Sequence, residues 1–124
     1  MEFVRGDTFY ISRCLTDKND NPLILNKETD DITLTVRESI DSEIIIEKHI
    51  EDFEITEDGV YRVVLNPKDT ETLELGIYEY DIEIRIGKNE ENPFVRTPET
   101  GTIRLLSWDF SRPKEVIWWM EIIK

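Results

Sequence analysis

Within Ile77–Ile86 the chain alternates strictly from Tyr78 onward: Tyr78, Tyr80, Ile82, Ile84 and Ile86 are interleaved with Glu79, Asp81, Glu83 and Arg85. A period of two puts every apolar side chain on one face of an extended strand and every charged one on the other. A helix would scatter the same residues around its circumference. The register is fixed as well, because a slip of one residue would turn the whole apolar set into water. A chain with such a strand has to supply a second layer that covers its dry face.

The remaining sequence supplies strands for that layer. In Thr8–Leu15, Phe9, Ile11 and Leu15 share one side, opposite Thr8, Ser12 and Cys14. Asp17, Asn19, Asp20 and Asn21 then make a turn, since their short side chains bond locally to backbone, and Pro22–Leu25 leaves it. Ile32, Leu34 and Val36 alternate with Thr33, Thr35 and Arg37, a second strand. Glu43–Ile50 opens with Ile44, Ile45 and Ile46, three β-branched residues that lose rotamer freedom in a helix, and reads as a third. Phe53 and Ile55 extend to the Asp58-Gly59 turn, after which Val60–Leu65 returns with Tyr61, Val63 and Leu65 on one face.

Asn66 and Pro67 suit a helix start, so a short helical crossing is expected before Gly76. Gly87–Glu99 is polar and holds Pro93 and Pro98, which predicts a long hairpin connection with a brief paired segment at Phe94 and Val95. Thr102–Ser107 is the next strand, and Val116–Ile123, apolar at nearly every position, is either a strand or a short helix. With 124 residues there is room for one ordinary domain. About seven short strands predict an all-β fold, a two-sheet Ig-like β-sandwich with one short helical crossing. It forms a single domain over residues 1–124, in which 114–124 is an interface segment or a terminal strand.

Fifteen basic residues against 28 acidic ones give a net charge of −13, which repels nucleic-acid phosphates and anionic membranes. Neither is an expected partner. No stretch approaches the roughly 20 apolar residues that span a bilayer, and Met1–Thr8 lacks the apolar run of a signal peptide, so the cytoplasm is the expected compartment. Cys14 is the single cysteine, which leaves no internal disulfide and no thiolate metal cluster.

Catalytic constellations are hard to find. His49, the single histidine, has no nucleophile elbow nearby and reads as a partly exposed strand-end residue. Asp81 and Glu83 share a strand face at roughly the 6 to 7 Å spacing of same-side residues, close enough to act together. Among so many carboxylates they read better as a solvated face balanced by Arg62 or Arg104. The Asp17–Asn21 turn lacks the glycine and the terminal glutamate of an EF-hand loop, and the five glycines are isolated, so no phosphate loop exists. The expectation is a chain that is not an enzyme and needs neither cofactor nor metal. Trp118, Trp119, Met120 and Ile122 concentrate apolar surface near the end of the chain. If the tail is a strand, Trp118 and Trp119 face opposite ways, which makes these four residues the expected partner interface.

A set of residues from Val63 to Arg112 carries a resemblance. Leu65 and Pro67, Asp69 and Thr70, Leu73 and Gly76 lead into Tyr78, Tyr80 and Asp81; Thr100 and Gly101 precede a closing Asp109, Phe110, Ser111 and Arg112. The segment resembles small bacteriophage and prophage structural proteins and the N-terminal modules of some phage tail and baseplate proteins. Those modules carry an Ig-like or baseplate-upper-protein-like β-sandwich. The likeness extends loosely upstream to Thr8. It implies a non-catalytic, virion-associated structural or adaptor protein that acts through protein contacts, with itself or with a phage assembly component. Such a protein would be made in the host cytoplasm and carried into the virion. Glu90–Thr97 is longer and more acidic than the compact hairpin usual there, and Val116–Lys124 has no counterpart. A carbohydrate-binding or cell-surface adhesion module on the same scaffold is the alternative expectation.

Overall fold

The computed structural model describes residues 1–107, which build a two-sheet β-sandwich with one short helix. The larger sheet has the strand order β1 (Glu2–Val4), β8 (Phe94–Leu106), β7 (Gly76–Ile86), β3 (Asp30–Arg37), β4 (Ile44–Lys48). The smaller has the order β2 (Phe9–Cys14), β6 (Val60–Leu65), β5 (Phe53–Ile55). All of these pairings are antiparallel except β1 with β8, which is parallel. Trp118, Trp119, Met120 and Ile122 lie outside the described residues, as does the Asp109–Arg112 motif.

The alternation in β7 does what its period requires. Tyr78, Tyr80, Ile82 and Ile84 are buried, while Ile86 is only half-buried. On one side β3 supplies Ile32, Leu34 and Val36, and on the other β8 supplies Ile103 and Leu105. The smaller sheet closes over them with Phe9, Ile11, Phe53, Tyr61, Val63 and Leu65. Tyr61 is 1% exposed; its hydroxyl donates to the Leu23 carbonyl at 2.6 Å and accepts from the Leu25 amide at 2.9 Å. That one side chain holds the segment leaving the 16–22 turn against the core. Within the turn, Asp17 Oδ1 accepts from the amides of Asn19 (2.8 Å) and Asn21 (3.0 Å). Gly59 packs beneath it with φ +78°, and a Cβ there would lie 2.8 Å from the Leu15 carbonyl oxygen, so glycine is required.

The crossing between the sheets is tighter than expected. It is a single helical turn, α1 (Pro67–Thr70), preceded by Asn66, whose amide donates to Asp69 at 2.8 Å. Three contacts pin this end of the sandwich. The Tyr78 hydroxyl donates to the Glu74 carbonyl at 2.6 Å, the Gly6 amide donates to Thr70 Oγ1 at 2.9 Å, and Lys48 pairs with Asp69 at 3.0 Å.

Two expectations need correction. Gly87–Glu99 is not a loop throughout, because β8 begins at Phe94, takes in Phe94–Glu99 and runs for 13 residues. Pro98 is tolerated because the β7–β8 register shifts between Ile82 and Ile84, where a bulge leaves a ladder position unfilled. The strand expected over Glu43–Ile50 ends at Lys48, after which Ile50–Asp52 forms a 3-10 turn that buries Ile50 completely. β1, three residues long, is too short to show a period in sequence.

Ile82→Ala is expected to lower the unfolding free energy in a urea titration by roughly 2 to 5 kcal/mol, since Ile82 is 3% exposed at the centre of the core. A loss below about 0.5 kcal/mol, the size typical of surface sites, would show that β7 does not carry the core. Tyr61→Phe keeps the ring but strands the Leu25 amide without its acceptor. Its expected loss in the same titration is about 1 to 3 kcal/mol.

Candidate functional site

The two layers differ in length at the β7–β8 hairpin. β2 has six residues and β8 thirteen, so the hairpin end of the larger sheet runs past the smaller one. Cross-strand partners share a face, and the register sets Ile86 against Phe94, Ile84 against Arg96 and Ile82 against Glu99. Phe94, Arg96 and Glu99 therefore point to the same side as the core residues Ile82 and Ile84. Phe94 is 58% exposed all the same, because the second layer ends before it. Beneath the overhang lies a cleft of about 550 Å³. Leu15 and Leu23 wall it on the side of the 16–22 turn, Ile84, Ile86 and Phe94 on the hairpin side, with Arg13, Lys18, Arg96 and Glu99 around them.

Arg13 and Glu99 bridge the layers beside this cleft. Arg13 Nε lies 2.6 Å from Glu99 Oε1 and Nη2 lies 2.9 Å from Oε2, a two-point pairing across the sandwich. The Tyr80 hydroxyl donates to the same carboxylate. The hydrogen bond from Arg13 pulls the Glu99 carboxyl below its ordinary pKa, while burial, with Glu99 adding to it, raises that of Tyr80. Gly101 makes room for the phenol, since a Cβ there would come 2.8 Å from the Tyr80 ring. By contrast, neither Arg96 nor Lys18 forms an ion pair with the described residues. With Asp17 also at its rim, the cleft sets three cationic side chains against two carboxylates, an excess of one positive charge in a chain whose net charge is −13.

His49 sits on the outer face of the larger sheet, at the end of β4, as a partly exposed residue. Its Nδ1 lies 2.9 Å from Asp31 Oδ2 and its Nε2 lies 2.7 Å from Glu47 Oε1. Only an imidazolium can donate to both carboxylates at once. The hydrogen bond to Asp31 accordingly raises the His49 pKa, with Glu47 adding to it. Burial works against the charge on Asp31, but the bonds from His49 and from the Ile50 amide outweigh it and hold the carboxyl below its usual range. A hydrolytic relay needs the hydroxyl and the carboxylate on opposite ring nitrogens. Here Thr33 Oγ1, at 3.4 Å, crowds the nitrogen that Asp31 already holds, and Glu47 occupies the other. The geometry is that of a clamp between β3 and β4.

Asp81 and Glu83 do not act as a pair. Asp81 accepts from Thr35 Oγ1 at 2.8 Å, and Glu83 meets Arg85 at 3.2 Å. The arginines expected to balance them lie elsewhere: Arg62 is on the smaller sheet, paired with Glu54, and Arg104 is 3.7 Å from Glu2. Among the described residues no group of three or more His, Cys, Asp or Glu side chains is arranged to hold a metal ion, and no helix is long and apolar enough to cross a membrane. Phe94 and Arg96 fall between Pro93 and Pro98, residues that mark a loop, and so the cleft is hidden in the sequence. The available signal was their two-residue spacing, which continues the face of Ile84 and Ile86 through the hairpin.

The clamp gives a pH dependence of known sign. A histidine with a raised folded-state pKa stabilises fully below about 6.5, its unfolded value, and loses that stabilisation as pH rises through the folded value. Asp31, with a lowered pKa, adds stability above about 4 that is lost as pH falls. Melting temperature is expected to decline from pH 6 to pH 8, and the decline to vanish in His49→Asn. His49 is 42% exposed at its side chain, so the effect is screened to below about 1 kcal/mol. An identical decline in the variant would assign it to other groups. No protein-family model matches this chain, and no curated protein matches it.

Proposed function

We propose that this chain is a non-catalytic protein-binding module, a virion-associated structural or adaptor protein of the bacteriophage kind its sequence resembles, and that the cleft under the β7–β8 hairpin is where it meets its partner. The observation that carries the proposal is Phe94, a large aromatic on the core face of a sheet that the second layer leaves uncovered. Covering it removes apolar surface from water at about 25 cal/mol per Å². Arg96 is its same-face neighbour two residues on, and aromatic and arginine anchors dominate the energetics of protein interfaces. The net charge of −13 disfavours nucleic acid and anionic membrane in that role. On this reading the protein is made in the host cytoplasm and leaves it within the assembled particle.

The same proposal includes an immunoglobulin-like assignment of the sandwich. Supporting it, β2, β6 and β5 correspond in order to strands B, E and D of that fold, and β8, β7, β3 and β4 to G, F, C and C′. A tyrosine near the start of strand F that bonds back to the backbone is a further hallmark, and Tyr78 to Glu74 has that form. Two residues later, where antibody domains place a cysteine, stands Tyr80.

Phe94→Ala tests the cleft. Phe94 is exposed in the isolated domain, so its truncation is expected to leave stability within about 0.5 kcal/mol. Light scattering and pull-down, on the full chain alone and co-expressed with the products of adjacent genes, are expected to show a complex weakened by roughly 30-fold, the 2 kcal/mol of an interface hot spot. A complex of unchanged affinity would remove the cleft from the interface.

A further inference from the structure

We infer that the occupant of this cleft is the apolar segment 116–123 of a second copy of the chain. The inference rests on the cleft being a protein-binding site, as proposed above, and names the partner from the chemistry of both sides. Segment 116–123 is apolar throughout except for Glu121. The cleft is apolar on both walls, at Leu15, Leu23 and Phe94, and carries Arg96 with no ion pair among the described residues. Arg13 is paired with Glu99 and Asp17 lies beside Lys18 in sequence, so the trough carries an excess of one positive charge, and one acid in an apolar strip matches it.

The distribution of charge points the same way. In residues 108–124, Arg112, Lys114 and Lys124 offset Asp109, Glu115 and Glu121, so the whole net charge of −13 falls on residues 1–107. Two such domains repel face to face, whereas a neutral tail approaches an acidic domain without net repulsion.

Reach favours the second copy over the chain's own tail. β8 carries the chain away from the cleft: Arg96 lies in it, and Leu106 lies ten residues further along the strand, roughly 33 Å at strand rise. Residues 107–115 span at most about 30 Å when fully drawn out. A return within one chain would therefore consume all the slack in that connector, at its full cost in backbone entropy. It would also have to cross β1, which occupies the edge of β8 at Arg104–Leu106 beside the exit. A neighbouring copy delivers the same segment with its connector free.

Disulfide trapping in the full-length chain tests this. In a Cys14→Ser background, one variant carries Arg96→Cys and a second carries Glu121→Cys, and the two are mixed under mild oxidation. A linked heterodimer is expected at about ten times the yield of a control pair in which Arg62→Cys, on the smaller sheet, replaces Arg96→Cys. Yield no higher than the control would overturn the inference. So would an internal disulfide of monomeric mass in a chain carrying both cysteines, because the tail would then fill its own cleft. Independently of cysteines, Arg96→Glu is expected to weaken self-association about tenfold and added Glu121→Arg to restore it; failure of the restoration counts against the pairing. Should the full chain stay monomeric while Phe94→Ala still disrupts a complex with an adjacent gene product, the cleft stands as a protein site and the second copy is rejected as its occupant.

Discussion

The one-sided burial of β7 governs the rest of the structure. Because Tyr78, Tyr80, Ile82 and Ile84 all face inward, β3 cannot slip by one residue without exposing its apolar face, and the observed register sets Val36, Leu34 and Ile32 beside Tyr80, Ile82 and Ile84. The same rule fixes β8, whose Ile103 and Leu105 join the core while Arg104 and Thr102 turn outward. The smaller sheet then has only to cover this face, and it covers it incompletely. Ile86 is the first β7 side chain of the series left half in water, and the cleft opens where that coverage ends.

The two ends of the sandwich are consequently unlike. At the crossing end, Tyr78 bonds to Glu74, Gly6 to Thr70 and Lys48 to Asp69, three ties that close the layers within the chain itself. Asp30 does similar work for the base of the hairpin, accepting from the amides of Asn26 (2.9 Å) and Gly87 (3.0 Å). At the cleft end the layers are tied by Arg13 and Glu99, with Tyr80 seated against the pair through the gap that Gly101 leaves. A charge pair of this exposure contributes little to stability by itself. Its structural effect is to keep the layers at fixed separation where apolar packing has run out.

Much of this was legible in the sequence, for reasons that also explain the rest. The faces of β2, β3, β6 and β7 follow from a period of two, and the turns at Asp17–Asn21 and Asp58-Gly59 from local hydrogen bonding and glycine dihedrals, so local chemistry was enough. Pro98 argues against a strand, and that expectation fails only because β8 itself bulges there. Thr97 and Pro98 together face Glu83, between the pairs Ile82 with Glu99 and Ile84 with Arg96, a register that is set by the partner strand and not by the local sequence. β1 is defined by pairing with a strand about one hundred residues away and has no period of its own. The His49 clamp joins β3 to β4 across a register that a single sequence does not reveal. The cleft is a difference between the lengths of two strands in different layers, a quantity that no local pattern encodes.

Charge constrains how such a domain can assemble. With −13 on residues 1–107, two copies approaching through their folded faces meet a repulsion that dilute salt screens only beyond about 10 Å. An interface between them has to act inside that distance and has to be directional. Diffuse attraction is unavailable, and so the features that can hold a partner are short-ranged: an aromatic side chain awaiting cover at Phe94, an uncompensated guanidinium at Arg96, and walls shaped by Leu15 and Leu23. Arg13, already bound to Glu99, is not free to neutralise an incoming acid, which leaves that role to Arg96 and Lys18. If the cleft is the binding site proposed above, the acidity that keeps copies apart in general would make it selective in particular, because a partner that does not fill it would gain nothing to set against the repulsion.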